Sequence, residues 1–223
     1  MVIGGDGSFR AARDLSDGFG VPTIGIPGTI DNDLEYTDYT LGFDTAVNTC
    51  LDIINKLRDT MTSHERISVV EVMGRHCGDI ALFSGIASGA EIIVVPEITF
   101  DMDDIVMKIN RSRASGKHSN IIVVAEGVMS AEQFARQLQD VTTYSVRPTC
   151  IGHVQRGGSP SMADRMLAAQ FGNKAVRLLN EGVGNRAVGI RKNEIIDMDI
   201  IEAVSMKKKF NYELYETLQM ISM

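Results

Sequence analysis

The chain has 223 residues, 44% of them hydrophobic and 23% charged, and this composition excludes a disordered or fibrous protein. The formal net charge of −7 argues against nucleic acid or an anionic membrane as the main partner. The three cysteines show no CxxC pattern, and the sequence has neither a secretory leader nor an apolar run of bilayer length, so we expect a soluble, cytoplasmic protein with free thiols.

Short apolar runs alternate with amphipathic stretches along the chain. The predicted strands are Met1–Gly4, Thr23–Ile26, Ile67–Val72, Glu91–Val95, Ile121–Ala125, Ser145–Ile151 and Ala187–Ile190. The predicted helices are, approximately, Ser8–Asp17, Asp38–Met61, Cys77–Ser88, Asp101–Ala114, Ala131–Asp140, Ser161–Glu181 and Ile200–Met206. Because parallel strands buried on both faces read as continuous Val and Ile runs, this alternation predicts an α/β protein with mainly parallel sheets.

Polar clusters follow five of the predicted strands. They are Gly4–Ser8, Pro27–Asp33, Met73–Arg75, Glu126–Gly127 and His153–Gly158. In parallel sheets, ligands bind beyond the carboxyl ends of the strands. We therefore predict that these clusters carry the function.

The first cluster ends a strand and opens a helix. Gly5, Gly7 and Ser8 can bring backbone N–H groups close to phosphate at the helix N-terminus. Asp6 has the charge to bind a Mg²⁺ ion that bridges two phosphates. A tight turn in which Asp6 or Ser8 caps the helix explains the same residues, and the sequence leaves both interpretations open.

The second cluster contains Thr29, Asp31 and Asp33. If the segment is extended, Ile30 separates Thr29 and Asp31 so that their side chains point the same way. This arrangement suits a carboxylate that accepts a hydroxyl proton while its neighbour binds phosphate or metal. The alternative is a group of turn-forming residues that cap the following helix.

Arginines near strand ends provide local positive charge in this acidic chain. They are Arg66, Arg75, Arg147 and Arg156. A guanidinium group matches phosphate oxygens and stabilises transition-state charge, although a surface ion pair is the commoner role of an arginine. His153 suits a hydrogen bond to a sugar, or it is a satisfied core histidine.

In their order along the chain, these clusters closely resemble those of the bacterial ATP-dependent 6-phosphofructokinase family. The Thr-Ile-Asp-Asn-Asp run at 29–33 and the Gln-Arg-Gly-Gly-Ser-Pro run at 155–160 are its most specific elements. The resemblance implies two Rossmann-like α/β domains with mainly parallel sheets. Residues 1–42 and 155–205 would form an incomplete ATP-binding domain, N-terminally truncated, and residues 43–154 and 206–223 would form the fructose 6-phosphate-binding domain. We therefore expect a fragment of a longer protein, and the sequence leaves open whether this chain turns over alone.

The resemblance implies transfer of the ATP γ-phosphoryl group to the 1-hydroxyl of fructose 6-phosphate, a step of glycolysis. Asp31 would be the general base, Thr29 and Asp33 would lie around the transferred group, and Arg75 would stabilise the transition state. Gly5, Asp6, Gly7 and Ser8 would bind the nucleotide phosphates, with Asp6 also binding Mg²⁺. The remaining sugar-phosphate contacts would come from Met73, Gly74, Glu126, His153 and Arg156, and from Arg66 and Arg147 of a neighbouring subunit in a homotetramer.

The resemblance also bears on the phosphoryl donor and on regulation. Pyrophosphate-dependent relatives tend to carry Asp at position 7 and Lys at position 28, so Gly7 and Gly28 favour ATP. Arg58, Gly89, Glu91 and Lys117 match positions that bind ADP or phosphoenolpyruvate as an effector. Ser115 and His118 replace the usual lysines, so we expect effector binding to be weak or absent.

Three alternatives stay open at this point. In the first, the chain is a catalytically inert remnant that binds sugar phosphate or has a regulatory role. In the second, it is a pyrophosphate-dependent phosphofructokinase. In the third, it is another small-molecule or lipid kinase with a Gly-Gly-Asp-Gly motif. Gly7 and Gly28 disfavour the second alternative, and the run Gly152–Pro160 disfavours the third.

Overall fold

The computed structural model describes residues 1–61, 66–117 and 119–221. The strands are β1 (Val2–Gly4), β2 (Ile24–Pro27), β3 (Ile67–Val72), β4 (Ile92–Val94), β5 (Asn120–Ala125), β6 (Val146–Cys150), β7 (Arg186–Arg191) and β8 (Glu194–Asp199). The helices are α1 (Asp6–Phe19), α2 (Phe43–Met61), α3 (Asp79–Ser88), α4 (Met102–Ala114), α5 (Ala131–Val141), α6 (Met162–Asn180), α7 (Ile200–Ser205) and α8 (Tyr212–Ile221), with a short 3₁₀-helix at Gly152–Arg156. Among the helices described, none combines the length and the apolar character that crossing a bilayer needs.

The chain packs as two compact units. Unit 1 comprises Met1–Thr45 and Ser159–Lys209, and unit 2 comprises Ala46–Gly158 and Phe210–Met223. Each unit contains one four-stranded sheet, with the strand order β1-β2-β7-β8 in unit 1 and β4-β5-β3-β6 in unit 2. Five of the six pairings between the described strands are parallel, and the sixth, between β7 and β8, is antiparallel. The predicted α/β class with mainly parallel sheets is therefore confirmed.

In unit 1, the sheet lies between two layers of helix. On one face, Phe9 of α1 packs with Tyr36 and with residues of α7. Gly25 of β2 faces this layer, and a Cβ atom there would lie 2.8 Å from the Phe9 ring, so glycine provides the space that the ring fills. Ile24 and Ile26 face the other way and pack against Phe171 of α6. The alternation along β2 thus serves both layers.

In unit 2, the central strand β5 is buried at all six of its positions. Helices α4 and α5 cover one face of the sheet through residues such as Ile109 and Phe134. On the other face α3 packs closely, because a Cβ atom at Gly85 would lie 2.4 Å from Ile93 of β4. The sheet has helices on both faces, which explains the continuous apolar runs in the sequence.

Three predicted or overlooked elements differ from the structure. The helix predicted from Asp38 begins at Phe43. Residues 38–41 instead form hydrogen bonds with the end of β2 and the segment that follows it. Asn32 Nδ2 donates to the Asp38 carbonyl at 3.2 Å, and the Leu41 N–H donates to the Pro27 carbonyl at 2.8 Å. Strand β8 and helix α8 were not predicted. His118 and His64 lie outside the described residues.

Candidate functional site

Parallel pairing brings the first two polar clusters together at the carboxyl ends of β1 and β2. Gly4 is in register with Pro27, and the Gly28 N–H donates to the Gly4 carbonyl at 3.0 Å. The next residues stay close, since a Cβ atom at Gly5 would lie 3.7 Å from Thr29 Cβ. The glycine-rich turn and the segment that carries Asp31 therefore form one surface of unit 1.

Gly5, not Asp6 or Ser8, is the N-cap of α1, and no side chain caps this helix. The alternative in which Asp6 or Ser8 is the cap is therefore wrong. The first backbone N–H groups of a helix have no intrahelical acceptor, so the start of α1 has the chemistry to bind phosphate. A Cβ atom at Gly7 would meet nothing within 4 Å, which leaves open space beside this turn.

Asp6 is a half-exposed carboxylate on the first turn of α1, with 41% of its side chain accessible. Arg10, one turn along the helix, donates from Nε to Asp6 Oδ2 at 2.9 Å, and this hydrogen bond and charge raise the pKa of Arg10. The described residues contain no cluster of three or more metal-ligating side chains. A single accessible carboxylate still fits Mg²⁺, which usually keeps several waters and takes its other ligands from substrate phosphates.

Thr29 and Asp31 lie in a turn, not in an extended segment. The Asp31 N–H donates to Thr29 Oγ1 at 3.2 Å, and Asn32 adopts a left-handed conformation with φ of 51°. The condition under which their side chains point the same way, an extended backbone, is therefore not met, and the chain turns here so that Leu41 donates to the Pro27 carbonyl. The turn itself places the Thr29 hydroxyl beside the Asp31 backbone, and Asp31 is 9% exposed.

In unit 2, Arg75 and Glu126 come together from the loops after β3 and β5. The Arg75 N–H donates to Glu126 Oε1 at 2.9 Å. Two glycines allow the approach: Gly74 has φ of 138°, and a Cβ atom at Gly127 would lie 2.1 Å from the Arg75 carbonyl oxygen. The loop that holds Met73, Gly74 and Arg75 is therefore fixed by close backbone packing against the turn at Glu126–Gly127.

His153 and Arg156 lie on the 3₁₀-helix that follows β6. Side chains three residues apart eclipse each other in a 3₁₀-helix, so these two point the same way. Both are exposed, and the alternative in which His153 is a core histidine is wrong. Gly152, with φ of 60°, opens the 3₁₀-helix directly after Ile151.

Gln155 is a polar residue of this segment that the sequence does not mark as a site residue. It is 1% exposed, between the exposed His153 and Arg156. Its Oε1 accepts from the Met73 N–H at 3.1 Å and from the Cys50 thiol at 3.2 Å, and its Nε2 donates to the Gly152 carbonyl at 3.0 Å. The sequence signal for this residue is its position in the Gln-Arg-Gly-Gly-Ser-Pro run at 155–160, directly before Arg156.

Arg66 and Arg147 lie away from the other candidate site residues of unit 2. Arg66 precedes β3 whereas Arg75 follows it, and six strand residues span about 20 Å. Arg147 of β6 is in register with Ser68, so it lies near the same end of the sheet as Arg66. This chain therefore separates these two arginines from Arg75.

The four predicted effector residues form neighbouring contacts in unit 2. Arg58 Nη2 donates to the carbonyls of Ser88 at 2.5 Å and of Gly89 at 3.2 Å. Lys117 Nζ lies 3.7 Å from Glu91 Oε1. A cavity of about 310 Å³ adjoins the second pair, lined by Glu91, Lys108, Arg111, Ser112, Ser115, Lys117 and Gln219. Lys108 and Arg111, from α4, were not predicted to take part.

The α/β fold with parallel sheets, a glycine-rich turn beside a buried carboxylate, and arginines that follow strand ends have the chemistry that phosphoryl transfer requires. Comparison with known proteins makes the assignment specific. The phosphofructokinase family model matches residues 1–179. The chain belongs to the phosphofructokinase family, as the sequence motifs predicted.

Individual relatives agree with this assignment. The chain is 59% identical over 222 residues to an ATP-dependent 6-phosphofructokinase of Clostridium tetani, and 57% identical to one of Clostridium novyi; each alignment covers 100% of this chain and 69% of the relative. A solved structure of phosphofructokinase from Saccharomyces cerevisiae superimposes with a TM-score of 0.88 at 31% identity, covering 97% of this chain and 36% of the yeast chain.

Proposed function

We propose that this chain carries the catalytic chemistry of an ATP-dependent 6-phosphofructokinase, which transfers the γ-phosphoryl group of ATP to the 1-hydroxyl of fructose 6-phosphate and yields fructose 1,6-bisphosphate in glycolysis. The observation that carries the proposal is the 59% identity over 222 residues to a bacterial relative of that name. The local geometry supports it, because Asp31, Thr29 and the N-terminus of α1 occupy one surface of unit 1.

Asp31 is the proposed general base, which takes the proton of the attacking hydroxyl group. The hydrogen bond between the Asp31 N–H and Thr29 Oγ1 fixes the turn, so the carboxylate is held before substrate binds. Thr29 and Asp33 lie around the transferred group. Arg75 balances the negative charge that spreads over the phosphoryl oxygens in the transition state.

The nucleotide phosphates are proposed to bind at Gly5, Asp6, Gly7 and Ser8. The open space beside Gly7 and the N-terminus of α1 support this placement. Asp6 would hold Mg²⁺, which neutralises phosphate charge when it is bound. Because Arg10 occupies the same carboxylate, Mg²⁺ binding would compete with the Asp6–Arg10 pair.

The sugar phosphate is proposed to bind at the loops of unit 2. Glu126 has an oxygen that can accept from sugar hydroxyls, and His153 and Arg156 point together from the 3₁₀-helix. Arg66 and Arg147 would serve the site of another copy, since they lie at the other end of β3 from Arg75. The active form proposed here is therefore a cytoplasmic homotetramer, and light scattering after size exclusion would test its oligomeric state.

The experiment for the main proposal measures binding and turnover in the same preparation. Isothermal titration of fructose 6-phosphate into the 223-residue chain is compared with Arg156→Gln, and Arg136→Gln, an exposed arginine of α5, serves as the charge-matched control. We expect R156Q to weaken binding and R136Q to leave it unchanged. Equal binding by all three proteins would remove Arg156 from the site.

Turnover is followed as fructose 1,6-bisphosphate formed with ATP or with pyrophosphate in the presence of Mg²⁺. Asp31→Ser is expected to reduce turnover severely and to leave fructose 6-phosphate affinity nearly intact, because the base acts mainly in the transition state. Binding without turnover in the unsubstituted chain would favour the inert sugar-phosphate-binding alternative. Turnover with pyrophosphate alone would favour the pyrophosphate-dependent alternative.

Regulation by ADP or phosphoenolpyruvate is proposed at Arg58, Gly89, Glu91 and Lys117. Ser115 and His118 alone predict weak effector binding, but α4 contributes Lys108 and Arg111 to the cavity that Ser115 lines. Positive charge in the cavity thus does not depend on position 115. A thermal shift with either anion that is lost in Arg111→Ala and retained in Arg136→Ala would support an effector site there. A shift retained in both variants would contradict it.

A further inference from the structure

The side chain of Gln155 connects the 3₁₀-helix in which it lies with the loop after β3, which is distant in sequence. Met73 begins the loop after β3, and Gly152 begins the 3₁₀-helix after β6. The Gln155 amide accepts from the Met73 N–H and donates to the Gly152 carbonyl, at 3.1 Å and 3.0 Å. One planar group thus fixes both loops at once, using its acceptor for one and its donor for the other.

Filling space in the core does not account for this residue. An apolar side chain of the same length would fill the space without an amide, and burying an amide is unfavourable unless its hydrogen bonds are made. The hydrogen bonds of the Gln155 side chain go to the two loops and to Cys50 of α2, whose thiol donates to Gln155 Oε1 at 3.2 Å. The residue is therefore suited to setting loop geometry.

We propose that Gln155 is a positioning residue for the sugar-phosphate site: its buried amide holds the loop of Met73–Arg75 in register with the segment that presents His153 and Arg156. This inference rests on the proposed function, in which both loops bind fructose 6-phosphate. Gln155 itself is buried and does not touch the substrate. Its effect passes through the Met73 N–H on one side and the Gly152 carbonyl on the other.

The test replaces Gln155 with methionine, which keeps the length of the side chain and removes both hydrogen-bonding groups. We expect the dissociation constant for fructose 6-phosphate to rise roughly ten-fold or more, since a buried donor and a buried acceptor lose their partner. ATP binds unit 1 in the proposed function, so its dissociation constant should stay within about two-fold. Hydrogen exchange at the Met73 amide should become faster.

Two control variants separate positioning from general stability. Ile109→Val removes one buried methylene from α4 in the core of unit 2, lowers stability through packing alone, and should leave the fructose 6-phosphate affinity unchanged. Cys50→Ala removes the thiol but keeps both loop bonds of Gln155, so its affinity should also be unchanged. If Q155M fails to fold, Gln155→Asn retains the amide one methylene too short to reach both loops, and the same loss is expected.

The outcomes distinguish this inference from the function on which it rests. Gln155→Met with faster Met73 exchange and unchanged sugar-phosphate affinity would overturn the positioning role. Loss of affinity in I109V equal to that in Q155M would also overturn it, because general stability would then explain both. No binding of fructose 6-phosphate by the unsubstituted chain would overturn the proposed function instead.

Discussion

Replacing Gly127 with alanine should disrupt the candidate sugar-phosphate loops more than any ordinary glycine substitution. The added Cβ atom would lie 2.1 Å from the Arg75 carbonyl oxygen and 3.2 Å from its carbon, and contacts under 3.0 Å are essentially never seen for real Cβ atoms. The obstacle is backbone, so a side-chain rotation cannot relieve it. The two loops must separate by about 1 Å, at a cost of about 1–3 kcal/mol in the free energy of unfolding.

The same displacement should weaken ligand binding, because the bond from the Arg75 N–H to Glu126 Oε1 spans the two loops that separate. Urea unfolding and titration of fructose 6-phosphate measure the two effects separately. Gly172→Ala is the matched control: it lies within α6 with nothing within 4 Å of its Cβ position, so alanine there should stabilise by about 0.5–1 kcal/mol. Unchanged stability and unchanged affinity in G127A would refute the reasoning.

Three further predictions concern unit 1 and the buried thiol. Gly7→Ala should raise stability by up to about 1 kcal/mol, since its Cβ meets nothing within 4 Å, and should lower ATP affinity in a titration if phosphate binds there; unchanged affinity would argue against that placement. Tyr36→Phe removes the bond of its buried hydroxyl to the Val188 carbonyl at 2.8 Å and should cost about 1–2 kcal/mol in urea unfolding, and a loss below a few tenths would contradict this. Burial raises the pKa of Cys50 from 9.0 to about 12, so its contribution to stability is complete below pH 9 and is lost as the pH rises through 12. Raising the pH from 8.5 to 10.5 should therefore lower the free energy of unfolding less in Cys50→Ala than in the unsubstituted chain. The difference should be up to about 1.4 kcal/mol per pH unit, and an equal decrease in both proteins would refute the assignment.

The parallel strands could be predicted from sequence, and the antiparallel one was missed for a local reason. Strand β8 is half-buried and mixed in character, so it has no continuous apolar run. Its signal was the two-residue turn at Lys192–Asn193, where φ is 50° and 65°. Two consecutive positive φ values are typical of a type I′ hairpin, but only Asn193 is a residue that favours this conformation. Lysine at the first position hid the hairpin.

The five polar clusters of the candidate site could be found from sequence because each follows a predicted strand, and strand ends are easy to find. Their local geometry could not, because it depends on tertiary hydrogen bonds. Whether Thr29–Asp31 is extended or turned was left open by the sequence, and the turn is held by a distant contact: Thr40 Oγ1 donates to the Thr29 carbonyl at 2.6 Å, from eleven residues further along the chain. The role of Gln155 was hidden for the same reason: its partners Cys50 and Met73 are distant in sequence.

The two glycines that favoured ATP do not carry equal weight once their surroundings are known. A Cβ atom at Gly28 would lie 2.7 Å from Ile3 Cγ2 and 3.4 Å from the Gly4 nitrogen, so the close pairing of β1 and β2 already favours glycine there. Glycine at position 28 therefore has a packing reason that is independent of the donor. Gly7 has no such reason, because nothing described lies within 4 Å of its Cβ position and its backbone adopts an ordinary helical conformation. A side chain at position 7 would cost the fold nothing and would enter the space beside the turn proposed to bind phosphate, so the case for ATP over pyrophosphate depends on Gly7.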